Sequence, residues 1–170
     1  MFYETILREL AKRKIKYLVV GGVAVNLHGY PRLTGDLDIV LSFEAANVGR
    51  FGELLKDLGW LPRVPVSLMD LADAKKRKGW LQEKGMKVFS VYNPKVSMEV
   101  LDVLTDPGVD YSLLKKHSML VPYKKFKVRV ASLDDLIFMK KKAARNKDLL
   151  DIQALNELKR IKNRYAKNKK

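Results

Sequence analysis

The sequence predicts an α/β domain that ends in a long helical segment, and three observations carry that prediction. Apolar residues recur at helical spacing in several separated stretches, and short β-branched runs fall between them. Glycine and proline punctuate the places where one pattern gives way to the other. At 170 residues, 47% of them hydrophobic, the chain is long enough to bury a real core and too short for two comfortable domains, so residues 1–170 read as one.

The elements follow in order. "FYETILRELAKRK" places Ile6, Leu7 and Leu10 on one helical face, and "IKYLVV" follows as a strand. Gly21 and Gly22 turn the chain into "VAVNLHG", a short helix ended by Gly29 and not extended past Pro31. "DLDIVLS" is the next strand. "FEAANVGRFGELLKDLG" is amphipathic and stops at Gly59, a C-terminal glycine cap. From residue 60 to 87 the signals are mixed: Pro62 and Pro65 mark a loop, and "SLMDLADAKKRKGWLQEKG" holds a helix that Gly79 weakens. "MKVFSVYN" and "VSMEVLDVLT" form a hairpin about Asn93, Pro94 and Lys95. "DYSLLKKHS" is a short helical piece and "FKVRVAS" alternates as a strand. Ser132 then offers an N-cap, with Asp134 and Asp135 in the first turn, to one helix running through "LDDLIFMKKKAARNKDLLDIQALNELKRI".

Composition excludes several classes of function. No apolar run exceeds about five residues and no leader pattern opens the chain, which predicts a soluble, unprocessed, cytoplasmic protein with no membrane partner. Cysteine is absent, so disulfides and thiolate metal sites are ruled out, and two histidines make a zinc site improbable. Net charge is +15, and residues 139–170 carry 12 basic against 3 acidic residues, so this segment supplies nine of the fifteen. A basic tail over residues 160–170 attracts polyanions through counterion release, whether nucleic acid or nucleotide phosphate. The plain alternative is a solvated helix with a frayed lysine end.

The chemistry concentrates in "VVGGVAVNLHGYPRLTGDLDIV". Side chains two apart on a strand share a face, so Asp36 and Asp38 project together, about 7 Å apart along the backbone. Such a pair can hold hard cations, and Mg²⁺ prefers carboxylate and phosphate oxygens. Upstream, Gly21 and Gly22 let backbone amides approach a phosphate at a helix N-terminus.

The composite of strand, Gly-Gly, helix and Arg-x-Thr-x-Asp-x-Asp resembles the nucleotidyltransferase superfamily of the polymerase-beta type. The likeness is nearest to the branch of AbiEii abortive-infection toxins and minimal nucleotidyltransferases. It is carried by "GGVAVNLHGYPRLTGDLDIV", by "EVLDVLT" and by "SLDDLIFMKKKAARNKDLLDIQAL". The resemblance implies the nucleotidyltransferase fold, a mixed β-sheet flanked by helices, with a third carboxylate on a strand next to the Asp-x-Asp. Asp102 matches that position, and Glu99, three residues away and so on the opposite face, is the alternative.

The implied activity moves a nucleoside monophosphate from a nucleoside triphosphate to a hydroxyl of RNA such as tRNA, of a protein or of a small molecule. Asp36, Asp38 and Asp102 would hold Mg²⁺ or Mn²⁺, and Asp102 would double as general base. Gly21 and Gly22 would cradle the triphosphate, Arg32 would neutralise phosphate charge and Thr34 would orient a carboxylate. Lys140 continues the apolar face of Leu133, Leu136 and Ile137 at i+7, where it either meets a phosphate or buries its stem and sends its amine to water. The resembled pattern A-x-R-x-K-D reads here as Ala143, Arg145, Lys147 and Asp148, and ordinary intrahelical pairing of Arg145 with Asp148 and of Lys147 with Asp151 explains it equally well. His28 reads as a capping or packing residue, and His117 as a polar-loop residue. A catalytically silent nucleotide- or RNA-binding module, related to toxin-antitoxin systems and working with a protein partner or as a homo-oligomer, is the second reading of the same residues.

Overall fold

Seven strands hydrogen-bond into one sheet: β1 (Tyr17–Val20), β2 (Asp36–Leu41), β3 (Leu61–Pro62), β4 (Val88–Asn93), β5 (Val96–Leu104), β6 (Met119–Tyr123) and β7 (Phe126–Val130). The computed structural model describes residues 2–106 and 108–167. Across the sheet the order is β3-β4-β5-β2-β1-β7-β6. β2 runs parallel to β5 and β1 parallel to β7, while the other four pairings are antiparallel, so the sheet is mixed.

Register assigns the side chains of the sheet to its two faces. Val19 pairs with Ile39 and with Val130, Leu37 with Leu101, Ile39 with Val103, and Phe89 with Val103. All of these side chains are fully buried and build the core with Ile6, Leu7 and Leu10 of α1 (Phe2–Lys12) and Phe51 and Leu54 of α3 (Ala45–Leu58). Each buried aliphatic or aromatic side chain contributes about 1.5–3 kcal/mol to this core. The opposite face is also apolar where the fully buried Leu18 and Val40 pair, and carries Val20, Asp38 and Asp102 at paired positions toward one end.

α2 (Gly21–Leu27) contacts β1 and β2, α5 (Tyr111–His117) contacts β1, and α6 (Leu133–Ala143) packs on α7 (Asn146–Lys167). Between α3 and β4, a 3₁₀ turn (Leu68–Ala72) leads into α4 (Ala74–Lys84). Asp73 caps α4 by accepting from the amides of Lys75 and Lys76, and Gly85 closes it in the left-handed region, so Gly79 is tolerated inside.

Four expectations need correction. Residues 60–87 contain β3, not only a loop, because Leu61 and Pro62 extend the sheet edge beyond Tyr92 and Val91. "MLVPY" forms β6, which the proline concealed; it is the outermost strand, where a missing amide is tolerated. His117 ends α5, with its ring 3.9 Å from Asp135, and is not in a loop. Above all, the C-terminal segment is two helices. Ala144 takes a left-handed conformation, φ 51, and α7 restarts with Asp148 accepting from the amide of Arg145, half of a capping box. α7 continues to Lys167, so helix replaces the expected fraying up to that point, and residues 168–170 lie outside those described. Among the described residues no helix is long and apolar enough to cross a membrane.

Candidate functional site

A cavity of about 280 Å³ opens at the carboxylate end of the second face of the sheet, by the junction of β1, β2, β5 and the α6–α7 break. Its wall contains the residues expected to hold metal and nucleotide: Gly21, Gly22, Arg32, Thr34, Asp36, Asp38, Asp102 and Lys140. It also contains Arg145, Asp148 and Asp151.

Parallel pairing creates the carboxylate cluster. Asp38 stands directly across from Asp102 and Asp36 across from Val100, so the three aspartates share one face. Glu99 lies three residues away on the other face, where its carboxylate accepts from Asn93 Nδ2 at 2.7 Å. Burial and the neighbouring Asp102 and Asp36 charges push the Asp38 carboxyl up to about 6, against the opposing pull of Arg145 and Lys140. Asp102 is likewise raised, chiefly by burial, and its Oδ1 is buried without a hydrogen-bond partner. An unsatisfied buried carboxylate oxygen beside a second carboxylate costs free energy and marks a place for a cation. Among the described residues no three histidine, cysteine, aspartate or glutamate side chains already form a metal-holding group, so the fit to a divalent ion rests on this orphaned oxygen and on mutual repulsion.

The glycines are required by space as well as by conformation. Gly21 has φ +64, and a Cβ there would overlap the Asp38 carboxylate. A Cβ on Gly22 would overlap the Arg32 guanidinium and the Thr34 hydroxyl. α2 begins at Gly21 itself, earlier than expected, with no side chain capping that end. Thr34 donates its hydroxyl hydrogen to the backbone carbonyl of Asp36 at 3.4 Å, so it braces the strand entry and not a carboxylate.

Lys140 is only 7% exposed, and its partner is internal. Its ammonium donates to Asp151 Oδ2 at 2.5 Å and to Asp148 Oδ1 at 3.4 Å. Asp148 is held low by Arg145, which reaches it through Nε at 2.8 Å and through a second guanidinium nitrogen at 3.1 Å. Asp151 also pairs with Arg32 Nε at 3.2 Å. The pairing of Arg145 with Asp148 expected from spacing is present, whereas the side chain of Lys147 lies outside the described residues.

His28 stays outside this cavity. Its Nδ1 accepts from the Lys162 ammonium at 3.2 Å, so the ring donates through Nε2 to the Ala131 carbonyl at 2.8 Å, and burial lowers its pKa. It is a neutral packing residue that joins the end of α2 to α7. Sequence reasoning missed Asn26, whose side-chain amide donates to the Arg32 carbonyl at 3.0 Å and accepts from the Arg32 amide at 2.8 Å, clamping that loop. A polar residue in an otherwise apolar short helix was its only signal.

No protein-family model and no curated protein matches this chain. Solved structures do. The lincosamide antibiotic adenylyltransferase LnuA, with lincomycin bound, superposes with a TM-score of 0.62 at 18% identity over 92% of this chain and 94% of that one. The chain has the nucleotidyltransferase fold. ANT(2'')-Ia in complex with adenylyl-2''-tobramycin matches with a TM-score of 0.57 at 12% identity, over 99% of this chain and 97% of that one. An antigenic nucleotidyltransferase-like protein from Paracoccidioides brasiliensis matches at 0.52 and 19% identity, over 91% and 73%. At these identities the likeness is one of nucleotidyltransferase fold, and the chemistry has to be argued from the cavity.

Proposed function

We propose that this protein is a divalent-metal-dependent nucleotidyltransferase that moves a nucleoside monophosphate from a nucleoside triphosphate to a hydroxyl of a small molecule. The observation that carries the reading is the register of β2 on β5, which sets Asp38 opposite Asp102 in a cavity that also holds the Gly21–Gly22 turn and Arg32. A lincosamide antibiotic adenylyltransferase with lincomycin bound and a structure in complex with adenylyl-2''-tobramycin, both alike in fold, support a small-molecule acceptor.

In this reading Asp36, Asp38 and Asp102 hold Mg²⁺ or Mn²⁺. Such an ion, when bound, neutralises phosphate charge and lowers the pKa of a hydroxyl. The amides of Gly21 and Gly22 receive phosphate oxygens where no Cβ intrudes, and the guanidinium of Arg32 faces the same space. The acceptor oxygen forms a bond to the α-phosphorus, the bond to the bridging oxygen breaks, and pyrophosphate leaves. Asp102, besides helping to hold the ion, acts as the general base that takes the acceptor's proton.

The end of α7 supports a second reading. Arg160 and Arg164 lie in an exposed stretch of this helix, which suits an RNA acceptor such as tRNA, or a silent RNA-binding module of toxin-antitoxin type. One experiment separates them: incubate the protein with Mg²⁺ or Mn²⁺, each α-labelled nucleoside triphosphate, and a panel of hydroxylated small molecules and tRNA, beside Asp38→Asn. Label on a small molecule, lost in the variant, is the expected result. Label on tRNA alone would reassign the acceptor, and nucleotide binding without transfer to anything would refute the enzyme.

A further inference from the structure

A charge cluster of buried Lys140, Asp148 and Asp151 with half-buried Arg32 and exposed Arg145 joins three separate segments of chain: α6, the start of α7, and the loop before β2. Within it Asp151 is the branch point. It is 4% exposed and gives one oxygen to each of two cations, Oδ2 to Lys140 Nζ and Oδ1 to Arg32 Nε. Lys140 is thereby enclosed between two carboxylates and has little left to offer a ligand.

Arg32 is in the opposite situation. Its main chain is clamped on both sides by Asn26, and its Nε by Asp151. One terminal nitrogen then lies where a Cβ on Gly22 would be. A free arginine samples many rotamers, so an arginine held at its main chain and its Nε, with a terminal nitrogen beside Gly22, is pre-organised for an anion arriving there.

We infer that Asp151 is a positioning residue for phosphate binding: it holds Arg32 against the Gly21–Gly22 turn, and Lys140 serves to hold Asp151 in place. The triphosphate cation is then Arg32 and not Lys140. This rests on the proposed nucleotide site. It was not legible from spacing, because Asp151 lies more than a hundred residues from Arg32 and its spacing from Lys147 offered a simpler partner.

The test measures binding of a non-hydrolysable α,β-methylene nucleoside triphosphate with Mn²⁺ by calorimetry, in a double-mutant cycle of Asp151→Asn and Arg32→Gln. Inorganic triphosphate serves as a second probe that carries no nucleoside. Loss of one charge-assisted contact weakens binding by roughly tenfold or more, so each single variant is expected to lose at least that. Because Asp151 acts through Arg32, the double variant is expected to bind no more than about twofold more weakly than Arg32→Gln alone. A residue that merely stabilises the fold would give losses that multiply.

Thermal melts accompany each variant, and if Asp151→Asn unfolds, Lys140→Met combined with Asp151→Asn removes the buried pair together and still releases Arg32. Wild-type affinity in the Asp151 variants, or multiplicative losses, overturns the inference while leaving the nucleotide site standing. Failure of the wild-type protein to bind either probe overturns both.

Discussion

Asp38→Asn is expected to make the metal-free protein more stable at neutral pH. In the folded state burial, Asp102 and Asp36 raise the Asp38 carboxyl from 3.8 to about 6. The native protein therefore keeps a proton that the unfolded chain releases between about pH 4 and pH 6, and stability falls as pH rises through that window. A shift of about two units corresponds to about 3 kcal/mol, fully expressed above about pH 7. Asparagine removes the charge and keeps the shape, and it also relieves Asp102, whose carboxyl is raised as well. With some cost for placing the amide, the net gain is about 1–3 kcal/mol, which for a chain of this size raises Tm by roughly 3–10 °C. The assay is thermal melting of both proteins in chelator at about pH 7.5 and about pH 4, where the advantage should vanish. A variant that melts at or below wild type at the higher pH, or one whose advantage is the same at both, would refute the reasoning.

Other substitutions probe the rest of the site. Asp102→Asn should lower nucleotidyl transfer by at least about a hundredfold, the scale of losing a general base, while Glu99→Gln should stay within about twofold; label transfer decides, and equal losses would sink the assignment of the third carboxylate. Lys140→Met leaves Asp148 and Asp151 short of a buried cation and should cost about 3 kcal/mol in a urea melt, with a cost below about 1 kcal/mol showing that the cluster does not depend on it. Gly21→Ala forces a positive φ on a residue with a Cβ directed at Asp38 and should cost about 1–3 kcal/mol, visible as a lower denaturation midpoint.

Local rules made much of this molecule readable. The two-residue period of a strand put Asp36 and Asp38 on one face, and the same rule separated Asp102 from Glu99, though only the long-range pairing of β2 with β5 could bring Asp102 opposite Asp38. Glycine caps and the Ser132 N-cap gave helix ends near their observed places. What the sequence hid was set by tertiary contact. Ala144 carries no glycine or proline signal, so helical periodicity ran straight through the break; Asn146 and Asp148, typical helix-start residues, were the available hint. With the break unseen, Asp151 could not be aimed at Lys140, and the anion that Lys140 needed was sought in a ligand when the chain supplies it. β3 and β6 escaped notice because edge strands are short and tolerate proline.

The central claim is that the Gly21–Gly22 turn and the three aspartates form a single metal-triphosphate site. Titration of Mn²⁺ into the protein, followed by electron paramagnetic resonance with and without an α,β-methylene nucleoside triphosphate, tests it most directly. The account predicts that the triphosphate tightens Mn²⁺ binding to the wild-type protein by at least about tenfold, and that Asp36→Asn and Asp38→Asn each abolish the coupling while remaining folded. Triphosphate binding that is indifferent to Mn²⁺, or coupling that survives both substitutions, would contradict it.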